Sequence, residues 1–196
     1  MRTKQRIDAL EGRLNWKNAA IAFAVIVLSN VAMAGYILPN IAARRPQALD
    51  DGFLIMIDLA PLRPADEVYK IFDLYTPDIL GFVRMLYAVD FVMPLGFMFI
   101  VAVLISKMLR YLGIRAGGWR TFILLPFVAL AFDYSENLLA LFLTSQYQDG
   151  QVFPALARVA GVATAFKFMC MIVAALAMVV LLVRTVIRRF AAKPGA

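Results

Sequence analysis

Four long apolar runs, at residues 18–38, 77–110, 120–143 and 155–188, constrain this chain more than any other feature. Each reaches or exceeds the roughly 20 residues that an α-helix needs to span a bilayer. In hydrocarbon only a structure that satisfies its own backbone groups survives, which for runs of this length means helices. Of the 196 residues 63% are hydrophobic and 17% charged, whereas a soluble domain is about half apolar. The sequence therefore predicts an all-α integral membrane four-helix bundle forming a single domain, with too few residues left for a separate soluble one.

The segments between the runs have distinct characters. Residues 1–17 are polar and basic, with Ile7, Leu10 and Leu14 at helical spacing. They predict a short amphipathic helix lying on the membrane, with Trp16 as an interfacial anchor. The first run also carries Ala32-Met33-Ala34, a signal-peptide-like site, but the continuation through Leu38 suits an uncleaved anchor better. Residues 39–76 form the one long connection, punctuated by Pro39, Pro46, Pro61 and Pro64 and rich in acids. Within it Pro64-Ala65-Asp66-Glu67 reads as a helix first turn, and Val68, Ile71, Phe72 and Tyr75 follow as an apolar stripe. This predicts an amphipathic helical cap between the first and second spans. Residues Gly52–Leu59 are too short to cross the membrane and read as a strand, a re-entrant piece or part of the cap. Thr76-Pro77-Asp78 is a strong helix start.

Lys and Arg set the orientation. The N-terminal segment, the turn at 107–120 and the tail after Leu182 carry five, four and four of the 20 Lys and Arg residues, and the turn has no acid of its own. Both termini are thus expected in the cytoplasm of a bacterial inner membrane, with the 39–76 connection outside and Trp16, Tyr111 and Trp119 as an aromatic belt. The formal charge of +7 follows this membrane asymmetry, so a lipid bilayer rather than nucleic acid is the expected partner. Histidine is absent and Cys170 is the single cysteine. An intrachain disulfide, a His-ligated zinc or iron site, a serine hydrolase with a His base and a thiol redox pair are all excluded. No metal or cofactor is expected.

Against this apolar background the polar residues inside the runs stand out. Asp133, Glu136 and Asn137 share one face of the third helix. A charge at the bilayer centre costs roughly 2.5–3.5 kcal/mol even on insertion scales, so such groups face the protein interior and find partners. Asp90 on the second run precedes Pro94, which removes the hydrogen bond to the carbonyl of Asp90, and Pro126 likewise frees that of Phe122. Lys167 on the fourth run has small neighbours at Ala160, Ala163, Thr164 and Ala174, as at a close helix contact. At about 1.5 Å rise per residue, Asn30, Asp90, Asp133 and Lys167 fall at similar depths, in one polar layer in the outer half of the bilayer. Lys167 is the natural partner for the acids, and one cation cannot neutralise three carboxylates. A proton, solvent, Arg84, Arg158 or a bound cation must supply the balance. Arg84 and Tyr87 are placed at the outer mouth, where Arg84 could meet an anionic head group. The structural alternative is a satisfied network that fixes helix packing. Asn30 with Ser29 reads as interhelical glue, and Met169-Cys170-Met171 as core filling.

The order Tyr75-Thr76-Pro77-Asp78, Arg84-x-x-Tyr87-x-x-Asp90 with Pro94, Asp133-x-x-Glu136-Asn137 and Lys167 resembles a pattern in uncharacterised four-helix bacterial membrane proteins. It spans residues 75–170, and departs from that pattern where Leu80-Gly81-Phe82-Val83-Arg84 replaces a glycine-arginine pair. The resemblance implies that these residues belong together and brings no activity with it.

The function expected is binding or transport of a cation, a proton or a polar lipid head group at this cluster, open to the outer face. A transporter of this size would need to form a homodimer. The alternatives are a membrane-embedded lipid-modifying enzyme, with Glu136 or Asp133 as general acid/base and Lys167 as electrostatic partner, and a structural subunit of a membrane complex.

Overall fold

The structure, a computed structural model, describes residues 2–44, 61–115 and 117–191, with side chains from Ile7 onward. The described residues are helical, with no strand among them. In chain order the helices are α1 (Arg2–Arg13), α2 (Trp16–Ala32), a π turn (Met33–Ile37), α3 (Leu38–Arg44), α4 (Ala65–Phe72), α5 (Pro77–Tyr111), a 3-10 segment (Gly118–Leu124), α6 (Leu125–Gln148) and α7 (Pro154–Ala191). Four continuous stretches, Trp16–Arg44, Pro77–Tyr111, Gly118–Gln148 and Pro154–Ala191, are long and apolar enough to cross a membrane. The expected strand, re-entrant or cap segment at 52–59 lies outside the described residues, as do Pro46 and the acids at 50, 51 and 58.

The amphipathic N-terminal helix uses its apolar face differently from expectation. Ile7 and Leu14 are buried against Ala102, Ile105 and Leu109 of α5 and Ile123 of the 3-10 segment, so the stripe is turned onto the protein rather than onto lipid. Charge explains the choice. Arg120 Nη2 lies 2.5 Å from Asp8 Oδ1 and 3.0 Å from Glu11 Oε1, and Arg110 Nη2 lies 3.6 Å from Glu11 Oε2. The basic turn without acids of its own thus receives two from α1. Asn15 caps the next helix by accepting the Asn18 N–H at 2.9 Å, which leaves Trp16 exposed at the junction.

Pro39 does not end the first long helix. A proline inside a helix clashes with the carbonyl four residues back. The turn just before it widens to π geometry, with the Leu38 N–H reaching back to Met33 O, and the helix continues to Arg44. Pro126 also differs from expectation. It sits in the first turn of α6, where an amide N–H is not needed. The Phe122 carbonyl is not freed, because the 3-10 geometry lets it accept the Leu125 N–H.

The expected stripe of α4 is buried: Val68, Ile71 and Phe72, with Tyr75 just beyond, pack with Ile37, Ile41 and Ile79. The segment leading into α4 approaches α7 closely, with the Leu62 N–H donating to Gly161 O at 3.0 Å. A Cβ at Gly161 would stand 3.1 Å from Arg63 N, so only glycine fits without a shift. Gly96 of α5 plays the same part toward α2, where a Cβ would stand 2.8 Å from Ala22 O. The broad helix contacts are α6 with α7, α2 with α5, and α5 with α6. The helices α2 and α7 are not a broadly contacting pair, and residues of both line one cavity over α5, which marks a seam between them.

Candidate functional site

The helical period brings Asp133, Glu136, Asn137 and Ala140 to the buried face of α6, between α5 and α7. On α7 the small residues Ala157, Ala160 and Thr164 are buried, as at a close helix contact, while Gly161 faces the segment before α4, and Lys167 follows one turn after Thr164 on the same face. Lys167 Nζ lies 2.7 Å from Glu136 Oε2 and 3.2 Å from Asp133 Oδ1. The Thr164 hydroxyl bonds the second Glu136 oxygen, Oε1. Toward α5, Asn137 Nδ2 donates to Asp90 Oδ2 at 2.7 Å. A single helix therefore joins two polar contacts of different kind: an ionic one with α7 and an amide–carboxylate one with α5.

Burial makes these contacts consequential. Glu136, Asn137 and Thr164 are wholly buried, and Asp133, Lys167 and Asp90 are 4%, 6% and 7% exposed. Among the described residues the Lys167 ammonium thus meets two carboxylates, those of Asp133 and Glu136, and a third in the cluster, Asp90, has the neutral Asn137 amide as its hydrogen-bond partner. Within the cluster, the buried Asp133 Oδ2 and Asn137 Oδ1 have no hydrogen-bond partner among the described residues.

A cavity of about 470 Å³ reaches the cluster along the seam between α2 and α7. Its polar lining is Asn30, Asp90, Asp133 and Lys167. Its apolar lining includes Met93, Phe97, Met98, Phe168 and Met171. Glu136 is not in the lining and stands behind Asp133 and Lys167.

Of the residues singled out in the sequence, the structure brings Asp90, Asp133, Glu136, Asn137 and Lys167 together. Asn30 lines the same cavity but bonds elsewhere, donating to Ile26 O at 2.9 Å and lying 3.4 Å from Met93 Sδ. Arg84 is exposed, away from the cavity lining. Tyr87 is fully buried among Ile79, Val83 and Leu86, not at a mouth, because it falls on the inward face of α5 with Val83 and Asp90. Arg158 lines a separate surface cleft with Tyr69 and Pro154. Cys170 is buried and Met169 exposed.

In the sequence Thr164 reads only as a small neighbour of Lys167. Its position three residues before the lysine already put its hydroxyl on the cluster's face. Tyr134, whose hydroxyl donates to Phe91 O at 2.7 Å, carries no such signal in the sequence. Arg63, a buried cation packed beside Gly161, had no local signal in the connection that holds it. No three Asp, Glu or Cys side chains among the described residues converge as a ligand set for a metal.

No protein-family model matches the chain, and neither a curated protein nor a solved structure does. The chemistry of the site is therefore read from its geometry.

Proposed function

We propose that the chain is a multi-pass protein of a bacterial inner membrane that binds, and as a dimer carries, a positively charged ligand at the Asp90, Asp133, Glu136, Asn137 and Lys167 cluster. One observation carries this reading: Lys167 is shared by two buried carboxylates, a third, Asp90, is held by a neutral amide, and Asp90 and Asp133 line a cavity. Excess buried negative charge in a low dielectric attracts a counter-charge strongly. A proton or a cation answers it. A head group does so through a cationic part, and an anionic one would have to approach two carboxylates to reach a lysine that is already paired.

The orientation with both termini in the cytoplasm agrees with where the cations gather. Arg184 stacks over the Trp119 ring at 5.1 Å, and Arg188 donates to Tyr111 O at 2.8 Å. These meet Arg110, Arg120 and α1 at one end, and α4 packs against α6 and α7 far along the chain from them. In this reading four spans close around the polar layer, and α4 covers its outer side.

The test is the thermal unfolding midpoint of the purified protein in nanodiscs, over a range of pH and with sodium, potassium, magnesium and small organic ammonium salts. At least one of these raises the wild-type midpoint saturably, and Asp133→Asn and Asp90→Asn abolish the response. Identical behaviour of wild type and both variants under every condition rejects the proposal.

A further inference from the structure

Resting on the reading above, we infer that the ligand is a lipophilic amine, a protonated nitrogen on an apolar body, which enters sideways along the seam between α2 and α7 and sets its nitrogen against Asp133 and Asp90. The cavity has the composition this class demands. About 470 Å³ falls in the range of about 300–1,000 Å³ that small-molecule pockets occupy, with mainly apolar walls and few polar groups that fix orientation. At one end Asp133, 4% exposed, spends Oδ1 on Lys167 and leaves Oδ2 with no hydrogen-bond partner. A buried carboxylate oxygen in that condition lacks a donor, and a protonated amine supplies donor and charge together. The apolar wall is made of Ile26, Pro94, the rings of Phe97 and Phe168, and the thioethers of Met93, Met98 and Met171. Such side chains favour an apolar body.

Other ligands fit this cavity less well. An inorganic cation needs several oxygens around it, and no three acidic side chains converge among the described residues. A phosphate would face Asp90 and Asp133 with its own negative charge. A proton alone would balance charge but make no use of the apolar wall. Sideways entry follows from packing: α2 lies along α5 and not broadly against α7, and the exposed Asn30 marks the α2 side of the cavity. An amphiphile partitioned into the bilayer arrives at that seam from the lipid side.

The probes are phenethylamine, its neutral isostere 2-phenylethanol, ammonium chloride and magnesium chloride. They are titrated into the protein in phosphatidylcholine nanodiscs, with the unfolding midpoint and heat of binding as readouts. Phenethylamine is expected to bind saturably, at least about tenfold more tightly than the alcohol. Asp133→Asn abolishes this preference, Asp90→Asn, which keeps an acceptor for Asn137, reduces it, and Phe97→Ala weakens the amine without removing the preference. Equal binding of amine and alcohol, or amine binding untouched by both Asp variants, overturns the inference. If ammonium, magnesium or acid stabilises the wild type through Asp133 and phenethylamine adds nothing, the lipophilic class falls and the charged-ligand site stands. If no probe or pH distinguishes wild type from the Asp variants, both fall.

Discussion

Asn137 holds Asp90: its Nδ2 donates to Asp90 Oδ2 at 2.7 Å with both side chains buried. The pair ties α5 to α6 at the cluster, and the carboxylate depends on that amide. Asn137→Leu is expected to lower stability by about 1–3 kcal/mol or somewhat more, since it leaves a buried acceptor unmet. Replacing both residues by leucine costs less than the sum of the single changes. Unfolding in mixed micelles of dodecyl maltoside and SDS measures the cycle, and strict additivity contradicts it.

Lys167 is the residue whose loss the cluster tolerates least. Lys167→Met leaves Asp133 and Glu136 facing each other without their shared cation, and breaking a buried pair in this way costs about 3–5 kcal/mol. Neutralising the acids as well, with Asp133→Asn and Glu136→Gln, restores much of the stability. That triple variant should fold and lose every response to cations. Retention of the response would make the network a device for packing alone.

The docking of α1 depends on Arg120, whose side chain is 9% exposed between Asp8 and Glu11. Arg120→Ala frees α1 from the end of α5, so tryptic cleavage at Arg13 accelerates several-fold and hydrogen exchange in α1 rises. High salt gives a weaker version of the same effect, because Asp8 is half exposed and screened. Unchanged proteolysis would mean that Ile7 and Leu14 suffice.

Gly96→Val tests the contact between α2 and α5. A Cβ there meets Ala22 O at 2.8 Å and Ile26 Cγ1 at 3.0 Å, and overpacking of this kind costs about 1–3 kcal/mol. Because Ile26 and Asn30 form one wall of the cavity, the displaced helix also widens it. A lower unfolding midpoint with weaker amine binding is the expected pair of results.

Orientation is checked by thiol labelling from one side in a Cys170→Ala background. Arg115→Cys, at the basic end, and Gln151→Cys, between α6 and α7, are both exposed positions. An impermeant maleimide applied to intact cells should label position 151 and reach 115 only after lysis. The reverse pattern places the termini outside.

How far the sequence foretells this molecule depends on the kind of signal. The four long helices are legible because length and apolarity set them, and Thr76-Pro77 marks the start of α5 because cap chemistry is local. Asp133, Glu136, Asn137 and Lys167 are legible as a group because buried charge on a helix has few places to go. What escaped depends on partners distant in sequence. Pro39 reads as a stop because nothing in one dimension announces a π turn that relieves it. The apolar face of α1 suits lipid and protein equally until Arg120 is placed beside Asp8 and Glu11. Tyr87 looks like a mouth residue by depth, but its azimuth around α5 turns it into the core. The seam between α2 and α7 is invisible, since no pattern states which helices decline to touch.

That Lys167 lies on the last helix has a consequence for biosynthesis. A chain made from its N-terminus delivers α5 and α6 to the membrane first, with Asp90, Asp133 and Glu136 aboard and the lysine still inside the ribosome tunnel or the insertion machinery. Until α7 arrives, Asn137 offers Asp90 an amide, but Asp133 and Glu136 have no cation. If the four helices are the spans proposed above, the half-made protein is expected to remain with the insertion machinery until the fourth completes integration of the second and third. A chain truncated before residue 154 should be degraded rather than accumulate as a three-span intermediate.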